Sequence, residues 1–100
     1  MIFDTFSDFY PAYLEAHKNV VCRRLHFLGT SGVIATLILF FFTGSLTLLM
    51  VLPLVAYGFA WSGHFIYEKN APMSFRHPIY SMMGDFRMFW DILAGRVRAF

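Results

Sequence analysis

No aspartate, glutamate, lysine or arginine occurs anywhere in residues 25–67. Charged residues make up only 14% of this 100-residue chain, against 58% hydrophobic and 20% aromatic, where a soluble domain carries about 25% charged residues. A soluble domain of this size cannot hide such a run, which leaves a membrane protein or a hairpin buried in a larger assembly; the composition favours the membrane. Cysteine is nearly absent. The single Cys22 excludes an intrachain disulfide and cannot make a thiolate cluster by itself, so it reads as a small buried residue. A cleaved signal is not expected, because Asp4 and Asp8 occupy the place of a basic n-region and the first apolar run comes later; the mature chain is expected to be the whole chain. The formal net charge of +2 is too small to argue for nucleic acid. Also missing are a glycine-rich phosphate loop, a Gly-x-Ser-x-Gly elbow, a Cys/His dyad and the paired HxxHH boxes of the larger membrane desaturases. Without repeats, low-complexity tracts or linkers, residues 1–100 read as a single membrane domain.

What is present is length. About 20 apolar residues cross a hydrocarbon core, and residues 27–42 and 46–66 supply one slightly short segment and one full one. The spans are placed at about 26–42 and 46–67, joined by the small polar break Thr43, Gly44, Ser45. Lys18, Arg23 and Arg24 precede the hairpin, Lys69 and Arg76 follow it, and the turn carries no charge. The positive-inside rule then puts both termini in the cytoplasm. Before the hairpin, Phe3, Phe6, Tyr10, Tyr13 and His17 recur at helical intervals; Pro11 either interrupts a helix begun at Phe3 or marks the first turn of one capped near Asp8. After it, Asn70, Ala71 and Pro72 make a turn, and His77-Pro78 starts a helix with an apolar face of Ile79, Met82, Met83, Phe86, Phe89, Trp90, Leu93 and Val97. Gly84 costs that helix roughly 1 kcal/mol relative to alanine, so it starts late or bends there. The expected fold is all-α, a two-span hairpin flanked by amphipathic interfacial helices. Ser31 and Ala35, Gly32 and Thr36, and Ala56 and Ala60 are small pairs four apart that suit close packing of the spans.

The chain's four histidines, His17, His26, His64 and His77, all fall on one side of this hairpin. At about 1.5 Å per residue, His26 lies about 27 Å and His64 about 30 Å from Gly44, nearly the same depth. Neutral imidazoles without a matching carboxylate cluster suit Fe, Zn, Cu or Ni rather than Mg or Ca, which makes the four histidines candidate metal ligands. His17 and His26 are about half a turn out of phase on one helix, so the chain must bend between them, at Lys18-Asn19. Glu15, Glu68 and Asp85 are the available carboxylates, with Glu68 best placed to orient His64 or to ligate directly. The competing reading takes Tyr57, Trp61, His64 and Glu68 as an ordinary interfacial belt on one helix face.

The stretch from His17-Lys18-Asn19 to Arg24-Leu25-His26-Phe27-Leu28-Gly29-Thr30, followed by Trp61-Ser62-Gly63-His64-Phe65 and Glu68-Lys69-Asn70-Ala71-Pro72, resembles the Mpo-type family of small membrane proteins. Phe75-Arg76-His77-Pro78, Ser81 and Asp85-Phe86 resemble its short bacterial branch. The resemblance implies an Fe(II)-dependent dioxygenase that takes a 2-hydroxy fatty acid and O2 to the acid one carbon shorter, at the interface of a bacterial cytoplasmic membrane and in contact with its lipid. His17, His26 and His64 match the family's histidines and Glu68 its acidic position, while His77 departs from the eukaryotic members. Two other functions fit the same residues: a non-catalytic membrane scaffold, and b-type haem held between His26 and His64.

Overall fold

A computed structural model describes residues 3–100, which form four α-helices and, among the described residues, no strand. Helix α1 (Phe6–Glu15) starts earlier than the Asp8 cap expected from sequence: the hydroxyl of Thr5 accepts from the Asp8 N–H at 3.1 Å. Pro11 lies inside the helix. It forfeits only the bond to the carbonyl of Ser7, an exposed residue, so water can replace what the ring removes.

Helix α2 (Val20–Thr43) is capped by Asn19, whose Oδ1 accepts from the N–H groups of Val21 and Cys22 at 2.8 and 3.3 Å. It stops at Gly44, which takes the left-handed conformation (φ 67°) that releases the chain into the turn. Helix α3 (Leu46–Ser62) continues without a break into a wider π-helical turn, Gly63–Glu68. Both apolar helices, 24 residues over Val20–Thr43 and 23 over Leu46–Glu68, are long enough to cross a membrane. Leu28, Ile38, Leu39, Phe41, Phe42, Leu46, Met50 and Leu54 are exposed along them, an apolar surface of the kind that a membrane or a partner covers. Close approach of the two helices depends on small residues. A Cβ at Gly32 would meet Val55 Cγ1 at 2.7 Å, and one at Gly29 would meet Phe59 Cβ at 3.2 Å. Gly32 and Ala60 thus serve the packing expected of them, whereas Ala35 is exposed. The hydroxyls of Ser31 and Thr36 donate to the carbonyls of Phe27 and Gly32, which satisfies them within the helix.

After a short 3₁₀ turn (Met73–Phe75), helix α4 (Pro78–Leu93) begins with proline in its first turn, as expected. It runs straight through Gly84. The reason is Tyr13: a Cβ at Gly84 would lie 2.9 Å from two carbons of that ring, so the missing side chain is where α1 rests on α4. The inward face of α4 is Ser81, Gly84, Met88 and Asp91, while Ile79, Met83, Trp90 and Leu93 face outward and Met82 and Phe86 are only partly exposed. Phe89 is half-buried, stacked on Phe27 at 4.8 Å, and Val97 is buried beyond the helix end. Most of the apolar stripe is therefore exposed rather than a core face. The C-terminal residues are clamped to α2, with Arg23 and Arg24 donating to the carbonyls of Arg98 and Ala99.

Candidate metal centre

Three elements bring three histidines to one point. His17 follows α1 in the connector, His26 sits in the second turn of α2, and His64 lies in the π-helical turn. The bend expected at Lys18-Asn19 is where α1 has ended and Asn19 caps α2. It lets His17 fold back onto His26. Gly63 gives His64 access: a Cβ there would meet Cys22 Sγ at 2.9 Å and Cys22 Cα at 3.2 Å, so only glycine lets the wide turn lie against α2. Such turns concentrate at functional sites.

The ring centroids are 4.3 Å apart for His17 and His26, 4.4 Å for His17 and His64 and 5.0 Å for His26 and His64, all edge to face. All three rings are buried. His17 Nδ1 lies 2.6 Å from the Tyr13 carbonyl and His26 Nδ1 2.8 Å from the Cys22 carbonyl. A carbonyl only accepts, so both Nδ1 atoms carry the proton. His64 Nδ1 lies 2.7 Å from Asn70 Oδ1, and Asn70 Nδ2 donates to the Ala16 carbonyl at 3.1 Å. That second bond orients the amide with its oxygen toward the ring, so His64 Nδ1 donates as well. Each imidazole is left with an unprotonated Nε2.

The Nε2 atoms of His17 and His26 stand 3.0 Å apart. Two lone pairs facing each other in a buried site repel unless a cation joins them. Two nitrogens this close can both reach one ion at the usual distance of about 2.1 Å, so the donor set fits a first-row metal. One donor atom from each of His17, Cys22, His26 and His64 lies within 4.8 Å of the others. Burial, with His26 and His64 adding to it, pushes His17 well below the usual imidazole pKa and keeps it in the neutral form that ligates. Tyr13 stacks on His17 at 4.0 Å and donates its hydroxyl to Asp85, whose carboxyl is pushed up to about 7 by burial against the opposing effect of that bond.

The other candidates lie elsewhere. His77 packs among the rings of Phe3, Phe9 and Tyr80, with centroids at 5.4, 5.5 and 6.1 Å, outside the cluster formed by His17, Cys22, His26 and His64. Glu68 accepts from the Asn19 N–H, so it holds the start of α2 instead of orienting His64. Glu15 pairs with Lys18 at the surface. The residue that orients His64 is Asn70, read from sequence only as part of a turn. Lys69 takes the left-handed conformation (φ 58°), and the Asn70 N–H returns to the His64 carbonyl at 3.1 Å, which brings the amide back beneath the ring. The haem alternative finds no room, since edge-to-face rings 5.0 Å apart with His17 beside them cannot admit a porphyrin.

Beside the rings is a polar chamber of about 20 Å³, bordered by Tyr13, His17, His26, Trp61, His64 and Asp85 among others. An apolar cavity of about 430 Å³ lies next to it, walled by Val33, Leu37, Leu52, Ala56, Met82 and Phe86 among others. His26, Tyr57, Ala60, Ser74, Ser81 and Asp85 line both and mark where they meet.

The family described as 2-hydroxy-palmitic acid dioxygenase Mpo1-like matches residues 3–97, and the chain belongs to it. No curated protein and no solved structure matches the chain.

Proposed function

We propose, from this family membership and the geometry of the histidine cluster, that the chain is an Fe(II)-dependent dioxygenase of 2-hydroxy fatty acids. The carrying observation is the convergence of three buried imidazoles, each with its Nδ1 proton committed to an acceptor and its Nε2 lone pair free. The Nε2 atoms of His17, His26 and His64 would hold the ion, and His77 is left out because its ring packs elsewhere. Bound iron would supply Lewis acidity toward the hydroxyl and carboxylate oxygens of the acid and the electrons that activate O2. The balance closes with O2 as oxidant, the carboxyl carbon leaving as carbon dioxide and one water formed beside the shortened acid.

The chain's own residues bind, orient and exclude water. Along α2 the apolar cavity is lined from His26 to Leu37, a rise of about 16 Å. At roughly 1.25 Å advance per carbon of an extended chain, that length holds about 13 carbons. Most of an acyl chain the length of palmitate, though not the whole of it, therefore fits extended along α2 with its polar end toward the histidines. Tyr13 and Trp61 wall the chamber against bulk water. Asn70 and the carbonyls of Tyr13 and Cys22 fix the ring orientations. The basic flanks Lys18, Arg23, Arg24, Lys69 and Arg76 support a site at the cytoplasmic interface of the membrane, where the polar head would reach the metal and the chain would stay in lipid.

Iron and product, measured on anaerobically purified full-length protein, test the proposal. His17→Ala, His26→Ala and His64→Ala should each lose bound iron and release of the one-carbon-shorter acid, His77→Ala should keep its iron, and Asn70→Ala should weaken metal binding by about 10- to 100-fold. Full iron and activity in both His26→Ala and His64→Ala would refute the shared site and leave the scaffold reading.

A further inference from the structure

Among the described residues two serine hydroxyls are buried without a hydrogen-bond partner: Ser74 Oγ and Ser81 Oγ. Folded proteins pair nearly all such groups, and each exception asks for a reason. Ser81 is 5% exposed and sits in the first turns of α4, where a helix favours negative charge; Ser74 comes from the 3₁₀ turn before it. Both line the chamber beside the three histidines and also the apolar cavity. No lysine or arginine lines either space. An acyl chain needs no donor at this junction, whereas the carboxylate that ends it does.

We infer that Ser74 and Ser81 are the head-group subsite of the cavity, donating their two hydroxyls to the carboxylate of a bound long-chain acid. The inference rests on the reading of the cavity as a fatty acid site and adds the residues that select its polar end. A carboxylate bound through one oxygen at the histidine cluster keeps a second oxygen and its lone pairs; besides His26, the polar side chains at the junction are Tyr57, which is exposed, and Ser74, Ser81 and Asp85. The Asp85 Oδ1 already accepts from Tyr13, which leaves the serines as the uncommitted donors.

Removing a buried hydroxyl that lacks a partner does not destabilise a fold, which gives the test its discrimination. Binding of labelled palmitic acid, 2-hydroxy-palmitic acid and hexadecane to the metal-free full chain in lipid nanodiscs is compared with Ser74→Ala, Ser81→Ala and the double variant. Each serine replaced should weaken binding of both acids by about tenfold, leave hexadecane binding as it was, and leave thermal stability equal or higher. Unchanged acid binding in the double variant overturns the subsite; so does an equal loss for hexadecane, which would mean a merely structural effect. Iron content and turnover of the wild type are read separately. A wild type without iron or turnover whose acid binding still depends on the serines keeps the subsite and removes the dioxygenase. Normal turnover with serine-independent binding removes the subsite alone.

Discussion

Replacing Gly63 with alanine adds one methyl group at the point where the π-helical turn lies against α2. Its carbon would stand 2.9 Å from Cys22 Sγ, 3.2 Å from Cys22 Cα and 3.4 Å from Cys22 Cβ. The sulfur can swing aside, but the Cα is backbone and moves only with the helix. The two elements must therefore separate by a few tenths of an ångström, and overpacking of this kind costs about 1–3 kcal/mol. For a domain of this size each kcal/mol lowers the melting temperature by about 4–8 °C. The loss also falls on the site, because His64 directly follows Gly63 while His26 sits one turn above Cys22. Gly63→Ala should lower the melting temperature of the detergent-solubilised protein and, with it, the metal affinity proposed for the histidine cluster. Cys22→Ala in the same chain removes the 2.9 Å clash but keeps the 3.2 Å one, so the double variant should recover part of the stability, with a coupling energy above about 0.5 kcal/mol. Wild-type stability and iron binding in Gly63→Ala, or strict additivity with Cys22→Ala, would refute the close contact.

Asp85 should make stability depend on pH. Its folded pKa of about 7 exceeds that of an unfolded aspartate, so its favourable contribution is fully present below about pH 4 and is lost as pH rises to about 7, by at most about 4 kcal/mol. Asp85→Asn, whose amide oxygen still accepts from Tyr13, should flatten unfolding midpoints across that window; an unchanged slope would count against the buried carboxyl. Orientation can be read by thiol labelling in intact cells. In a Cys22→Ala background, cysteine at Ser45 should react with an impermeant reagent added outside and cysteine at Asp4 should not, and the reverse pattern would invert the topology.

The parts of this molecule legible in sequence are those set by depth. The charge-free run 25–67 specifies two long apolar helices whatever their packing, and two such helices of similar length put His26 and His64 level without any knowledge of contacts. The reversal at Asn19 added His17, because charge and a helix-breaking residue coincide there. Orientation was not legible. An apolar stripe on a soluble helix names its core face, but lipid accepts apolar groups as readily as a protein interior does. On α4 that inverts the inference: Ile79, Trp90 and Leu93 turn outward while Ser81 and Asp91 turn in. Gly84 looked like a weakness because the ring that fills its place, Tyr13, is remote in sequence. The exchange of Glu68 for Asn70 as the partner of His64 has the same origin. On a regular helix Glu68 lies one turn from His64 and is the natural orienter, but the π-helical turn breaks that spacing, sends Glu68 to the Asn19 N–H and, through the left-handed Lys69, returns Asn70 instead. Shared depth therefore made convergence of His26 and His64 an expectation that sequence could state, while which carbonyl or amide receives each Nδ1 proton is decided by backbone turns that carry no periodic signal.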